Sequence, residues 1–246
     1  MIVLAIIVIG VGSYIVLNKE NGSKSSVTTN SQTTQTTSTQ TTSINLINVK
    51  PLLPYINTSL VPSYGTNSSK YYIFIVYDPE CPYCAIEFNN TLPYLNYLAE
   101  NNYAKLIFIG MPIHQYSLEM IAMLDLLYQK YGFTQFYNVL NKDYAIYYYN
   151  IMLYESNKTS QLEMPTPYTL YLIFNQSNLS INYNNINNTM RNAYAIANLA
   201  YNQGIDATPI LIIYNTQTES TVNQFIGLYP TQEIESYLNQ TLGVKS

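Results

Sequence analysis

A sharp break after the first long β-branched run sets the limits on how this chain can fold. Lys70–Tyr77 reads KYYIFIVY, too short for a typical helix and free of polar alternation, so it is expected to form a buried central strand. Asp78-Pro79-Glu80 ends the run. From Pro82 the apolar residues Ala85, Phe88, Leu92, Leu95 and Leu98 recur near a helical period as far as Asn101, with Pro93 expected to kink or split the helix. A second apolar run, Ala104–Ile113 (AKLIFIGMPI), reads as another strand. Strand, helix and strand in so short a span form a βαβ unit, whose strands run parallel.

The stretch from His114 to Gly204 reads as mostly helical. Ser117 is expected to cap a helix over Leu118–Tyr131 closed by Gly132, followed by helices at Thr134–Leu140 and Tyr144–Tyr154. After a break near Pro165 and Pro167, Tyr168–Phe174 fits helix or strand, and Asn185–Asn202 reads as an alanine-rich helix. Ile210–Tyr214 and Val222–Leu228 then form an antiparallel hairpin, and Thr231 caps a last helix, Gln232–Leu242. The expected fold is α/β: a small mixed sheet with helices on both faces and a helical insertion at about 114–203.

Composition narrows the function. Charged residues are only 10% of the chain, the net charge is −4, and no Lys/Arg cluster exists to neutralise phosphates, so no nucleic-acid partner is expected. Two cysteines and one histidine fall short of the four ligands of a structural zinc site, so no metal is expected, and two cysteines allow one disulfide at most. The surface must be built from Asn, Thr, Ser, Gln and many of the 27 tyrosines. Such a surface keeps its hydration where carboxylates are protonated, an expectation that fits the acidic exterior of a hot archaeal habitat.

Residues 1–18 form a separate segment. Met1–Leu17 carries no charged side chain and as a helix would be about 25 Å long, slightly short of a ~30 Å hydrocarbon core. Snorkelling flanks make a transmembrane anchor plausible, with a cleaved signal peptide as competitor and a buried core helix as the plain alternative. Residues 19–45 read as a flexible Ser/Thr/Gln-rich linker, and 46–246 as the globular domain. Lys19 and Lys24 alone would leave the domain inside. The stalk-like linker and the N-x-S/T sequons at Asn21, Asn57, Asn67, Asn89, Asn157, Asn175, Asn178, Asn187 and Asn239 point to a glycosylated domain outside the cytoplasm.

The chemistry lies in Cys81 and Cys84, within DPECPYCAIEF at the junction of strand and helix. A thiolate at a helix N-terminus is stabilised by unpaired backbone N–H groups and the helix dipole. Cys81, nearest the tip, is expected to be the exposed attacking sulfur, and Cys84 the resolving one. A structural bridge over two residues closes almost no loop and adds little stability. Half of a metal site shared between chains remains open on spacing alone. Asp78 and Glu80, if ionised, would raise the pKa of Cys81. His114 could sit near the site, but a solvent-facing place at a helix start is the expected one.

With GIDATPILIIYN and then Gly227 far downstream, the run PSYGTNSSKYYIFIVYDPECPYC resembles the DsbA-like branch of thioredoxin-fold thiol:disulfide oxidoreductases, over roughly Pro62–Leu242. The resemblance implies Cys81 as nucleophile, Cys84 as resolving thiol and Pro82-Tyr83 as the dipeptide that tunes potential. It also implies that Thr208 and Pro209 form the cis-proline loop facing the cysteines and holding client backbone. Two departures stand out. Tyr83 occupies a place where many such oxidants have histidine, and Ile75 stands where many relatives bury a carboxylate. The reading is a membrane-tethered enzyme exchanging disulfides with exported, cysteine-containing clients and recycled by an unknown redox partner. It needs no cofactor beyond the Cys81–Cys84 disulfide. Reductase, isomerase, and a non-catalytic binding module with a vestigial motif are the alternatives.

Overall fold

The computed structural model describes residues 45–244. The proposed anchor, nearly all of the linker and the Asn21 sequon lie outside the described residues. Among the described residues no helix is long and apolar enough to cross a membrane.

Five strands, β1 (Ser63–Tyr64), β2 (Tyr71–Tyr77), β3 (Lys105–Gly110), β4 (Ile210–Asn215) and β5 (Ser220–Ile226), form one mixed sheet in the order β1-β3-β2-β4-β5. β2 and β3 are parallel, joined by α1 (Pro82–Glu100), while β4 runs antiparallel to β2 and forms the hairpin with β5. The central strand has no polar alternation because both of its faces are covered. Ile73, Ile75 and Tyr77 pack with Phe88, Leu92 and Leu95 of α1 on one side. Tyr72, Phe74 and Val76 pack with Val49, Leu52 and Val61 of the lead-in and with Ile196 and Ala200 on the other. The lead-in is a 3-10 turn, Lys50–Tyr55, followed by β1 along the edge of β3.

Between β3 and β4 lie α2 (Ser117–Tyr131), α3 (Phe133–Glu155), α4 (Pro167–Gln176) and α5 (Ile186–Tyr201); α6 (Thr231–Leu242) closes the domain. Several expectations fail for identifiable reasons. Pro93 does not split α1, whose buried Leu92, Leu95 and Leu98 hold the helix against the sheet on both sides of it. The two helices expected over 134–154 are one, α3, because Phe136, Leu140, Asp143, Tyr144, Tyr147 and Ile151 continue a single buried stripe through the polar Asn141-Lys142. Tyr168–Phe174 is helical. Neither Ser117 nor Thr231 serves as N-cap; Tyr116 and Pro230 hold those positions, and the Ser117 side chain turns inward instead.

At the end of β3 a side chain has no room. A Cβ built on Gly110 would stand 2.5 Å from Cγ2 of Ile121 on α2, a β-branched atom that cannot swing away. Gly110→Ala is expected to cost about 1–3 kcal/mol, read as a lowered melting temperature. An unchanged melt would mean that α2 is not seated tightly on β3.

A candidate dithiol site at the tip of α1

Strand β2 delivers Asp78, Pro79 and Glu80 into the turn that starts α1, and Cys81 is that helix's N-cap. Its sulfur accepts the Cys84 backbone N–H at 3.4 Å, and the Cys81 N–H donates to the Asp78 carbonyl at 3.1 Å. Pro82 occupies the first helical position, where a missing N–H costs nothing. Across from the tip, the Thr208–Pro209 peptide is cis and leads directly into β4. The Cys81 thiol donates to the Thr208 carbonyl at 3.6 Å. The four motif residues and the distant Thr-Pro pair thus meet at one point.

The structure describes the dithiol form, and its two sulfurs are chemically unequal. For Cys81, hydrogen bonding from the Cys84 thiol outweighs burial and brings the pKa down from 9.0 to about 6, with the Thr208 side chain and the Cys84 backbone N–H adding to the effect and Asp78 opposing it. The Thr208 hydroxyl is buried without any other partner, which leaves it free to donate to a thiolate. Burial pushes the Cys84 thiol well up, and its donation to Cys81 pushes the same way. One expectation is corrected here. Cys81 is not an exposed sulfur: the residue is only 3% exposed, covered by the Thr208 bend, while Tyr83 beside it is 58% exposed.

Beneath the tip lies a polar network that one-dimensional reading missed. Asp78, fully buried, accepts from the Glu80 N–H at 2.9 Å and the Ser117 hydroxyl at 2.6 Å on one oxygen. On the other it takes the backbone N–H groups of Ile113 and His114 and the His114 ring Nδ1, the last at 2.7 Å. Glu80 accepts the Tyr116 N–H, and its carboxylate also meets the Ser117 hydroxyl. The two carboxylates therefore cap the start of α2 from outside that helix. His114 is accordingly not a free surface residue but a partner of Asp78. Its place just after the second parallel strand puts it near the cysteines, and nothing in the sequence pairs it with Asp78.

Three further buried carboxyls lack such support. Asp143 has both oxygens buried without hydrogen-bond partners, and burial, then the charges of Asp78 and Glu80, raises its pKa well above the ordinary range. Burial raises Asp125 likewise. Glu87, three residues past Cys84, is carried from 4.5 to about 7 by burial, partly offset by the Tyr229 N–H that donates to it at 3.1 Å.

No family model and no curated protein sequence matches the chain. Solved structures do match in shape. Alpha-DsbA1 from Wolbachia pipientis superposes with a TM-score of 0.59 at 19% identity, over 78% of this chain and 95% of that one. A periplasmic thioredoxin-like protein from Salmonella enterica serovar Typhimurium gives 0.54 at 16%, over 78% and 96%. The catalytic domain of Proteus mirabilis ScsC gives 0.52 at 15%, over 76% and 92%. Identities this low speak for architecture alone. With the mixed sheet, the cysteine-bearing first helix and the cis-proline bend, they make residues 45–244 a thioredoxin-like fold with four helices between its third and fourth strands.

Proposed function

We propose that this protein is a DsbA-like thiol:disulfide oxidoreductase working outside the cytoplasm on exported, cysteine-containing clients, with residues 1–18 as its membrane anchor. The observation that carries the reading is the inequality of the two sulfurs. Cys81 ionises at about 6 on a helix tip, whereas Cys84 stays protonated beneath it. The protein named as alpha-DsbA2 of Wolbachia pipientis, also similar in shape with a TM-score of 0.52 at 16% identity, is described as a thiol-disulfide exchange protein.

In the oxidising direction a client thiolate attacks Sγ of Cys81 in the Cys81–Cys84 disulfide. The S–S bond breaks, Cys84 leaves and takes up a proton, and a mixed disulfide joins client and Cys81. The client's second thiolate then attacks its own bridged sulfur and expels Cys81 as thiolate. The client loses two electrons and the protein gains them; an unknown redox partner removes them. The pair itself is the only redox group required. A low pKa makes Cys81 a good leaving group and stabilises the reduced protein, so oxidation of clients is favoured over reduction.

Clients are extended segments with apolar residues near the cysteine. Thr208-Pro209 offers backbone to such a segment, and Tyr83 of the motif and Leu228, beside the Gly227 that bonds Pro209, are exposed apolar side chains. Gly227, next to Leu228, donates its N–H to the Pro209 carbonyl at 2.9 Å, which ties that rim to the bend. Approach to Cys81 displaces the carbonyl of Thr208 that now covers it.

The test is reoxidation of a reduced, unfolded client by the disulfide form, alongside insulin reduction by the dithiol form. Stoichiometric client oxidation, with a reduction potential between about −270 and −120 mV, is the expected result. Inertness in both assays would instead favour a binding module with a vestigial motif.

A further inference from the structure

His114 and Cys81 are both hydrogen-bonded to Asp78, the first to its side chain at 2.7 Å and the second to its main-chain carbonyl at 3.1 Å. Asp78 is fully buried and its carboxylate receives five hydrogen bonds, yet among the described residues its one cationic partner is His114. A buried carboxylate this close to a sulfur that must ionise works against that sulfur, and the Asp78 charge does raise the pKa of Cys81. A cation clamped on the carboxylate offsets the conflict.

We propose that His114 is the counter-cation of the exchange site: its imidazolium, fixed on the Asp78 carboxylate, keeps that negative charge from opposing the Cys81 thiolate. His114 is thus a positioning residue that acts through Asp78. The ring is suited to the task because Nδ1 donates to the carboxylate while the side chain stays 31% exposed and open to protons from solvent. The ionisable groups that bear on it are Asp78 and Glu80 from the β2–α1 turn and Cys81 from the tip of α1. Partial burial lowers its pKa, and the Asp78 hydrogen bond with the charges of Asp78, Cys81 and Glu80 more than reverses this, so the net direction is up.

The coupling must be reciprocal: if His114 favours the Cys81 thiolate, the thiolate favours the imidazolium. The chain has one histidine, so its ring proton resonances can be followed by NMR without assignment. The imidazole is expected to titrate at higher pH in the dithiol protein than in the disulfide protein, by about half a unit or more. In His114→Gln the thiolate absorbance of Cys81 should shift its midpoint up from about 6 by roughly one pH unit, a tenfold loss of thiolate at pH 5. His114→Lys should recover most of that shift, and adding Asp78→Asn to His114→Gln should bring the midpoint back down. Identical histidine titrations in the two redox forms, or an unmoved midpoint in folded His114→Gln, would overturn the proposal. The inference rests on Cys81 being the sulfur that ionises, and its readouts need no client. Failure of client exchange with the titrations coupled would count against the proposed function alone.

Discussion

Replacing Cys84 with serine is expected to turn a catalyst into a trap. Offered a client in its disulfide form, Cys84→Ser should hold it through Cys81 as a mixed disulfide that the wild type resolves with Cys84, visible as a heavier band on non-reducing gels. Cys81→Ser should yield no adduct at all and only background exchange. The asymmetry follows from position. Cys81 is the N-cap whose ionised form receives the Cys84 thiol, the Thr208 side chain and a backbone N–H. Cys84 is completely buried and held protonated, so a client cannot reach it until Cys81 has reacted. Attack by Cys81 as a reductant should rise about tenfold per pH unit below 6 and level off above it, since the thiolate is the nucleophile. At pH 3 about one Cys81 in a thousand is ionised. An acid habitat therefore slows both directions, because a client thiol near ~8.5 is ionised still less at that pH than Cys81 is. Trapping by Cys81→Ser instead of Cys84→Ser would reverse the assignment.

The second large effect is a stability that falls as pH rises. A carboxyl whose folded pKa lies above its unfolded value binds its proton more tightly in the native state. The stability is fully present below the unfolded pKa and is lost as pH climbs to the folded one. Glu87 spans 4.5 to about 7, a loss of at most about 3 kcal/mol across that window. Asp125 and Asp143 are shifted in the same direction by burial and lose stability in the same sense. His114, raised overall, also contributes below its unfolded pKa and loses that contribution as pH rises. The reduced Cys81 opposes this trend above about 6, so the experiment belongs on the disulfide form, in which neither sulfur titrates. Melts from pH 4 to 8 should decline. Glu87→Gln keeps an acceptor for the Tyr229 N–H and removes the titration. It should match the wild type at pH 4 and exceed it at pH 8 by about 1–3 kcal/mol, several degrees for a domain of this size. Stability rising towards neutral pH, or a destabilised Glu87→Gln at pH 8, would refute this account.

What could be read without coordinates followed local grammar. A β-branched run broken by Asp-Pro-Glu, cysteines at a helix start and a Thr-Pro before ILIIY each declare themselves within a few residues. The structure brings Cys81, Pro82, Tyr83, Cys84, Thr208 and Pro209 together at one edge of the sheet. The remainder depends on neighbours distant along the chain. The break expected between Leu140 and Tyr144 is absent because Asp143, Tyr144 and Tyr147 are buried on one helix, and Glu87 finds its partner only in the distant Tyr229 N–H. His114 and Ser117 looked like ordinary features of a helix start. Only the folding of β2 beside β3 brings Asp78 and Glu80 within reach of both. The cover over Cys81 was illegible for the same reason, because it comes from a carbonyl 127 positions away.

Asp78 also takes a hydrogen bond on its main-chain carbonyl from the Tyr144 hydroxyl, so α2 and α3 both hold the turn that carries the cysteines. α2 and α3 are thus scaffolding for the reactive loop, and excising them would strip Asp78 of its Ser117 and Tyr144 partners. Any engineered graft of the motif onto a shorter thioredoxin-like frame would leave a buried acid without its braces, and the loop would have to find a new shape.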